Sequence, residues 1–171
     1  MSLLAVGTIA YDSVETSFGK HDELLGGSVS FLATSGSWFT DMQVVAVIGE
    51  DFDNKHIDFF RSRNIDTTGI KTITGKTFRW QGNYLKDINN AETIATDLNV
   101  LQQFDPLLPK SYQNSEFVVL GNIDPTLQLK VLKQVKAPKI IALDTMNFWI
   151  HNTPEQLNSV INQVDLLCIN D

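Results

Sequence analysis

In the second half of the chain, three short apolar runs alternate with two segments of helical period. The runs are Phe117 to Leu120, Ile140 to Leu143 and Leu166 to Ile169. The spacing predicts strand, helix, strand, helix, strand. The first helix should begin with Asp124 as N-cap and Pro125 at its first position, placing Leu127, Val131, Leu132 and Val135 on one face. Its opposite face carries Lys130, Lys133 and Gln134. The second should begin at Thr153, with Pro154 next and Gln156 completing a capping box, before Leu157, Val160, Ile161 and Val164. Strands this apolar are expected to be buried on both faces, and helical connections between them require parallel, right-handed crossovers. The fold class that follows is a layered α/β/α parallel sheet, with ligands at the carboxyl ends of its strands.

The first half repeats the theme less regularly. Leu3 to Val6 and Val44 to Ile48 read as strands, Ser28 to Phe39 and Asn54 to Arg63 as helices. Two stretches fit no such layer: residues 11 to 25, and roughly Phe78 to Val100. They are polar and β-prone; in the second, Phe78, Trp80 and Tyr84 are mixed with Arg79, Gln81, Asn83 and Asn90. Polar content of this kind could not be buried within the main body, so both belong to a small sheet projecting from it, a lid.

Composition narrows the partners. Of 171 residues, 43% are hydrophobic and 19% charged, ordinary values for one globular domain. With 20 acidic against 13 basic residues the formal charge is -7, and no Lys/Arg run is present to neutralise phosphates, so nucleic acid is not expected as a partner. No run of about 18 apolar residues occurs, and Met1 to Ala10 lacks the basic start of a signal peptide, so membrane insertion and export are not expected. Cys168 is the one cysteine, which rules out an intramolecular disulfide and fits a reducing cytoplasm. Its apolar neighbours suggest a buried, inert thiol.

Several motifs invite chemistry and are weaker than they look. Thr74-Gly75-Lys76-Thr77 resembles part of a P-loop, but that motif needs glycine five positions before the Gly-Lys pair, where this chain has Ile70, and a strand pattern rather than a helix follows. It reads as a turn. Gly7 after the first strand lacks the two further glycines of a dinucleotide fingerprint. His21, His56 and His151 are too scattered for a zinc site. Asp53 reads as the N-cap of the next helix. Gly26-Gly27 directly precedes a helix and would bring backbone amides close to a ligand, or simply form a turn. Asp12 taken by itself is a loop carboxylate.

Taken in order, these pieces resemble the ribokinase-like carbohydrate kinases, also called the phosphofructokinase-B family, over the whole chain. The resemblance rests on Ala5-Val6-Gly7 followed by Asp12, on Gly26-Gly27 opening a helix, and on Val45-Ala46-Val47-Ile48-Gly49-Glu50-Asp51-Phe52. It continues with Asn64-Ile65-Asp66-Thr67-Thr68-Gly69-Ile70, with Leu143-Asp144-Thr145-Met146-Asn147, and with Asn170 as the start of an asparagine-and-glutamate motif, although Asp171 rather than a glutamate follows it.

The resemblance implies phosphoryl transfer from ATP, with Mg2+, to a hydroxyl of a sugar or nucleoside. By the same likeness Asp12 would accept hydrogen bonds from substrate hydroxyls, and Gly26 and Gly27 would admit the substrate to the backbone. Asn122, Asp144 and Asn147 would be secondary substrate contacts, and Asn170 would help organise magnesium and phosphate. Two further departures accompany it: Ser28-Val29-Ser30-Phe31 stands where the family often carries an asparagine, and the family's Gly-Ala-Gly-Asp segment, with its base, does not occur. No catalytic residue is therefore assigned within the chain, and the base is expected beyond Asp171. The chain is expected to be the N-terminal, substrate-binding portion of a kinase, residues 1–171 forming a partial domain, inactive alone. A homodimer through the lid is expected. The alternative is a non-catalytic binding or regulatory module of the same fold.

Overall fold

The computed structural model describes residues 1–86 and 91–169. Its main sheet has six strands in the order β10-β9-β8-β1-β4-β5, every neighbouring pair parallel. These are β1 (Ser2–Val6), β4 (Asp41–Gly49), β5 (Ile65–Ile73), β8 (Phe117–Leu120), β9 (Ile140–Asp144) and β10 (Leu166–Cys168). A second sheet of four strands, in the order β3-β2-β6-β7, joins β2 (Ala10–Thr16), β3 (Gly19–Gly26), β6 (Phe78–Asn83) and β7 (Glu92–Asp97). The two polar, β-prone stretches thus leave the main layer and pair with each other, as expected. β5 lacks the uniform apolar run of the other strands and was not legible as one.

Period-2 alternation sorts the main sheet's side chains onto two faces. Ala5, Val44, Ala46 and Ile48 pack under α1 (Ser28–Gly36) and α2 (Asn54–Ser62), which contribute Val29, Ala33 and Phe60. Leu4, Val6, Val45, Val118, Leu120 and Leu143 pack on the opposite face under α3 (Pro125–Leu132) and α5 (Pro154–Ile161), which contribute Val131, Leu157 and Val160. Each helix pair therefore covers only half of one face.

That arrangement corrects two expectations. The strands of the second half are not buried on both faces: α3 and α5 cover one, while Val119, Ala142 and Cys168 line an open groove of about 900 Å3 beside α1. Cys168 is exposed rather than buried, because β10 is an edge strand and its apolar neighbours Leu166, Leu167 and Ile169 are exposed with it.

The helix starts follow local chemistry. Asp53 and Asp124 cap α2 and α3, accepting from Lys55 N at 2.9 Å and Thr126 N at 2.7 Å. The capping box expected at Thr153 does not form. A short helix, α4 (Asn147–Asn152), runs directly into α5, and the Thr153 hydroxyl donates backward to the Trp149 carbonyl at 3.2 Å. Thr74 to Thr77 is a turn between β5 and β6 with Gly75 at φ 129°, consistent with its failure as a P-loop.

Candidate functional site

The carboxyl ends of β1, β8 and β9 lie side by side, because the three strands are consecutive and parallel in the sheet. Past these ends the chain places Gly7-Thr8, Gly121-Asn122 and Asp144-Thr145. Ser28, the first residue of α1, ties two of them together. Its N–H donates to Thr8 Oγ1 at 3.1 Å, and its Oγ accepts from Thr8 N at 3.3 Å. A Cβ on Gly121 would come within 2.8 Å of that same Oγ, so Gly121 lets α1 approach β8.

Asp12, Gly26 and Gly27 do come together. Asp12 pairs with Leu24 across the β2–β3 ladder, and an irregularity between Asp12 and Val14 swings the strand at that point. The Asp12 carboxylate occupies the space where Gly26 has no side chain: a Cβ there would lie 2.0 Å from Oδ2. Gly27 sits at φ 89° with the Thr8 carbonyl oxygen 2.4 Å from where its Cβ would be, so this turn requires glycine. On the side where a Cβ would project, the room these glycines make is thus taken by Asp12 and by the Thr8 carbonyl. Burial raises the Asp12 carboxyl above its ordinary value, against the opposing pull of the Gly27 N–H.

The residues expected as secondary contacts form a second cluster. Asp144 is half-buried, its carboxyl raised by burial and partly held down by the N–H groups of Thr145 and Asn122. The Asn122 side chain is engaged at both ends: Oδ1 accepts from Trp149 Nε1 at 2.8 Å, and Nδ2 lies 2.9 Å from Met146 Sδ. Asn147 is the exposed first residue of α4. Three positions named from the sequence, Asn90, Asn170 and Asp171, lie outside the described residues, so neither the expected role of Asn170 nor the expectation of a base beyond Asp171 has a structural counterpart here.

Sequence reasoning missed Thr8, Ser28 and Gln128 as organisers of this edge. Gln128 is fully buried and donates from Nε2 to the carbonyls of Gly121, at 2.9 Å, and Asp144, at 3.3 Å, clamping the ends of β8 and β9. Its signal was present in the sequence, a glutamine three positions before Val131 on the inward stripe of α3.

The comparisons with known proteins bear on this geometry. A nucleoside kinase from Methanocaldococcus jannaschii, described as an archaeal member of the ribokinase family, superposes with a TM-score of 0.72 at 15% identity, over 97% of this chain and 59% of its own. A fructokinase from Xylella fastidiosa with bound ATP gives 0.73 at 16%, over 97% and 60%. The fold is ribokinase-like. A ribokinase from Cryptococcus neoformans in complex with ADP agrees, with a TM-score of 0.68 at 15% identity over 97% and 55%. The chain spans about six-tenths of the length of these solved ribokinase-like kinases. No family model and no curated protein matches the sequence.

Among the described residues, no group of three or more His, Cys, Asp or Glu could hold a metal ion, and no helix is long and apolar enough to cross a membrane. The described residues thus show neither a P-loop nor a cluster of metal-ligating side chains.

Proposed function

We propose that this chain supplies the substrate-binding portion of an ATP-dependent sugar or nucleoside kinase, with Asp12 as the group that recognises substrate hydroxyls. The observation that carries the reading is the packing of the Asp12 carboxylate against Gly26 at the carboxyl edge of a ribokinase-like sheet. A carboxylate has two oxygens able to accept from adjacent hydroxyls, and a position part-way out of water strengthens those bonds. Asp144 and Asn147 stand as secondary contacts. The Asn122 side chain is already partnered by Trp149 and Met146, and its backbone N–H supports Asp144, so it does not offer a free amide. Asn170 retains its proposed part in arranging phosphate and magnesium. Phosphoryl transfer itself depends on positioning and charge stabilisation, and needs a base and an anion site, neither of which is assigned here to a described residue. The setting is cytoplasmic, and two copies pair through the smaller sheet, which acts as the lid.

A thermal-shift screen of sugars and nucleosides tests the assignment. At 100 times Kd a true ligand stabilises by about 2.7 kcal/mol. The expected result is a shift with one chemical class in the native protein, lost in Asp12→Ala. An equal shift in both proteins would remove Asp12 from the site.

The second reading is a non-catalytic small-molecule-binding or regulatory module of the same fold. Incubation with ATP and a sugar tests whether residues 1–171 suffice: no product is expected under either reading, and turnover would place the catalytic residues within them. A continuation carrying a glycine-rich turn ending in aspartate would favour the kinase over the module.

A further inference from the structure

We infer that Arg79 is the positioning residue that fixes the smaller sheet, and Asp12 with it, against the main sheet. The inference rests on the reading of Asp12 as a substrate contact.

At the root of the smaller sheet, the Thr77 side chain is completely buried. Its N–H and its hydroxyl both donate to Asp51 Oδ1, at 2.7 and 2.8 Å, while the hydroxyl accepts from Gly49 N at 3.0 Å. Asp51 belongs to the loop after β4, so this pin joins the entry of β6 to the main sheet. Its other oxygen, Oδ2, pairs with Arg79 Nη1 at 2.8 Å.

From there the guanidinium reaches across the smaller sheet. Nη1 also donates to the Thr77 carbonyl at 3.1 Å, and Nε and Nη2 both donate to Glu23 Oε1, at 3.2 and 3.0 Å. Its centre stands 5.2 Å from the ring of Tyr11, whose hydroxyl accepts from Asp53 N at 2.9 Å. One planar cation thus touches β2, β3, the root of β6 and the loop after β4. Arg79 pairs with Tyr11 in the β2–β6 ladder and Trp80 with Asp12, so the clamp acts one residue from the carboxylate it would position. The fork geometry of arginine is what allows both carboxylates to be held at once; lysine could serve only one. The Asp51 arm is the firmer, since Glu23 is 62% exposed and its pairing is weakened by solvent.

The test compares native protein with Arg79→Met and Arg79→Lys by hydrogen exchange along the chain and by affinity for whichever compounds the thermal-shift screen selects. Methionine keeps an apolar stem over Tyr11 and removes the charge. In Arg79→Met, amides of β2, β3 and β6 should exchange about tenfold faster while β1 and β4 are unchanged, and affinity should fall about tenfold, with Arg79→Lys between. Unchanged exchange in the smaller sheet, exchange raised equally everywhere, or a loosened sheet with native affinity would each overturn the inference. If no compound binds even the native protein, the reading of Asp12 fails separately, and exchange alone decides whether Arg79 holds the sheet.

Discussion

Asp12 is kept at a cost. Its folded-state carboxyl is raised by burial, so the native state holds its proton more tightly than the unfolded chain. Stability therefore falls as pH rises from the unfolded value of 3.8 to the higher folded value, and stays at the reduced level above it. Asp12→Asn removes that penalty and can still accept from Gly27. Urea unfolding should find it more stable than native protein at pH 7, with the difference vanishing below the unfolded carboxyl value, while ligand binding is lost. A less stable Asp12→Asn at pH 7 would contradict this. Asp51 shows the opposite balance. Burial pushes its carboxyl up, but the backbone and side-chain donors of Thr77 and the Arg79 guanidinium outweigh burial and hold it below the ordinary value. Of two carboxylates near one sheet junction, one is left short of partners and one is saturated, a contrast that fits the proposed reading of Asp12 as a binding group and of Asp51 as a structural one.

The helices differ in how much of their start is built from side chains. Asp124 accepts from both the backbone and the hydroxyl of Thr126, each at 2.7 Å, whereas Thr153 makes no capping bond into α5. Asp124→Ala should cost about 1 kcal/mol in urea unfolding, and Thr153→Ala distinctly less. Equal losses would mean that Thr153 stabilises by another route. The same contrast shows how far local sequence carries. Pro154 and Gln156 fit the capping pattern, yet α4 already occupies the residues before Thr153 and supplies the Trp149 carbonyl its hydroxyl takes. Gly27, by comparison, leaves nothing to context. A turn at φ 89° pressed against the Thr8 carbonyl tolerates no side chain, and the chain announces it with paired glycines.

For the whole molecule, the strand β7 carries the prediction of assembly. Among the described residues it ends the smaller sheet, every residue from Glu92 to Asp97 is exposed, and its outer edge has no strand partner. Light scattering at micromolar concentrations should find a dimer, and a monomer alone would count against pairing through this sheet. The sequence by itself determined the alternation of strands and helices in the second half, the caps at Asp53 and Asp124, the separation of two polar stretches from the main layer, and the meeting of Asp12 with Gly26 and Gly27. These depend on side-chain period, on backbone conformations only glycine adopts, and on an order of motifs that resembles a known fold. Tertiary structure alone decided that Leu166 to Ile169 form an exposed edge, that the Asn122 amide is already taken, and that Arg79, Asp51 and Glu23 converge. An apolar residue records that it prefers to leave water, and a charged one that it prefers a partner. Which distant segment provides the cover or the partner is fixed only when the strands have found their neighbours.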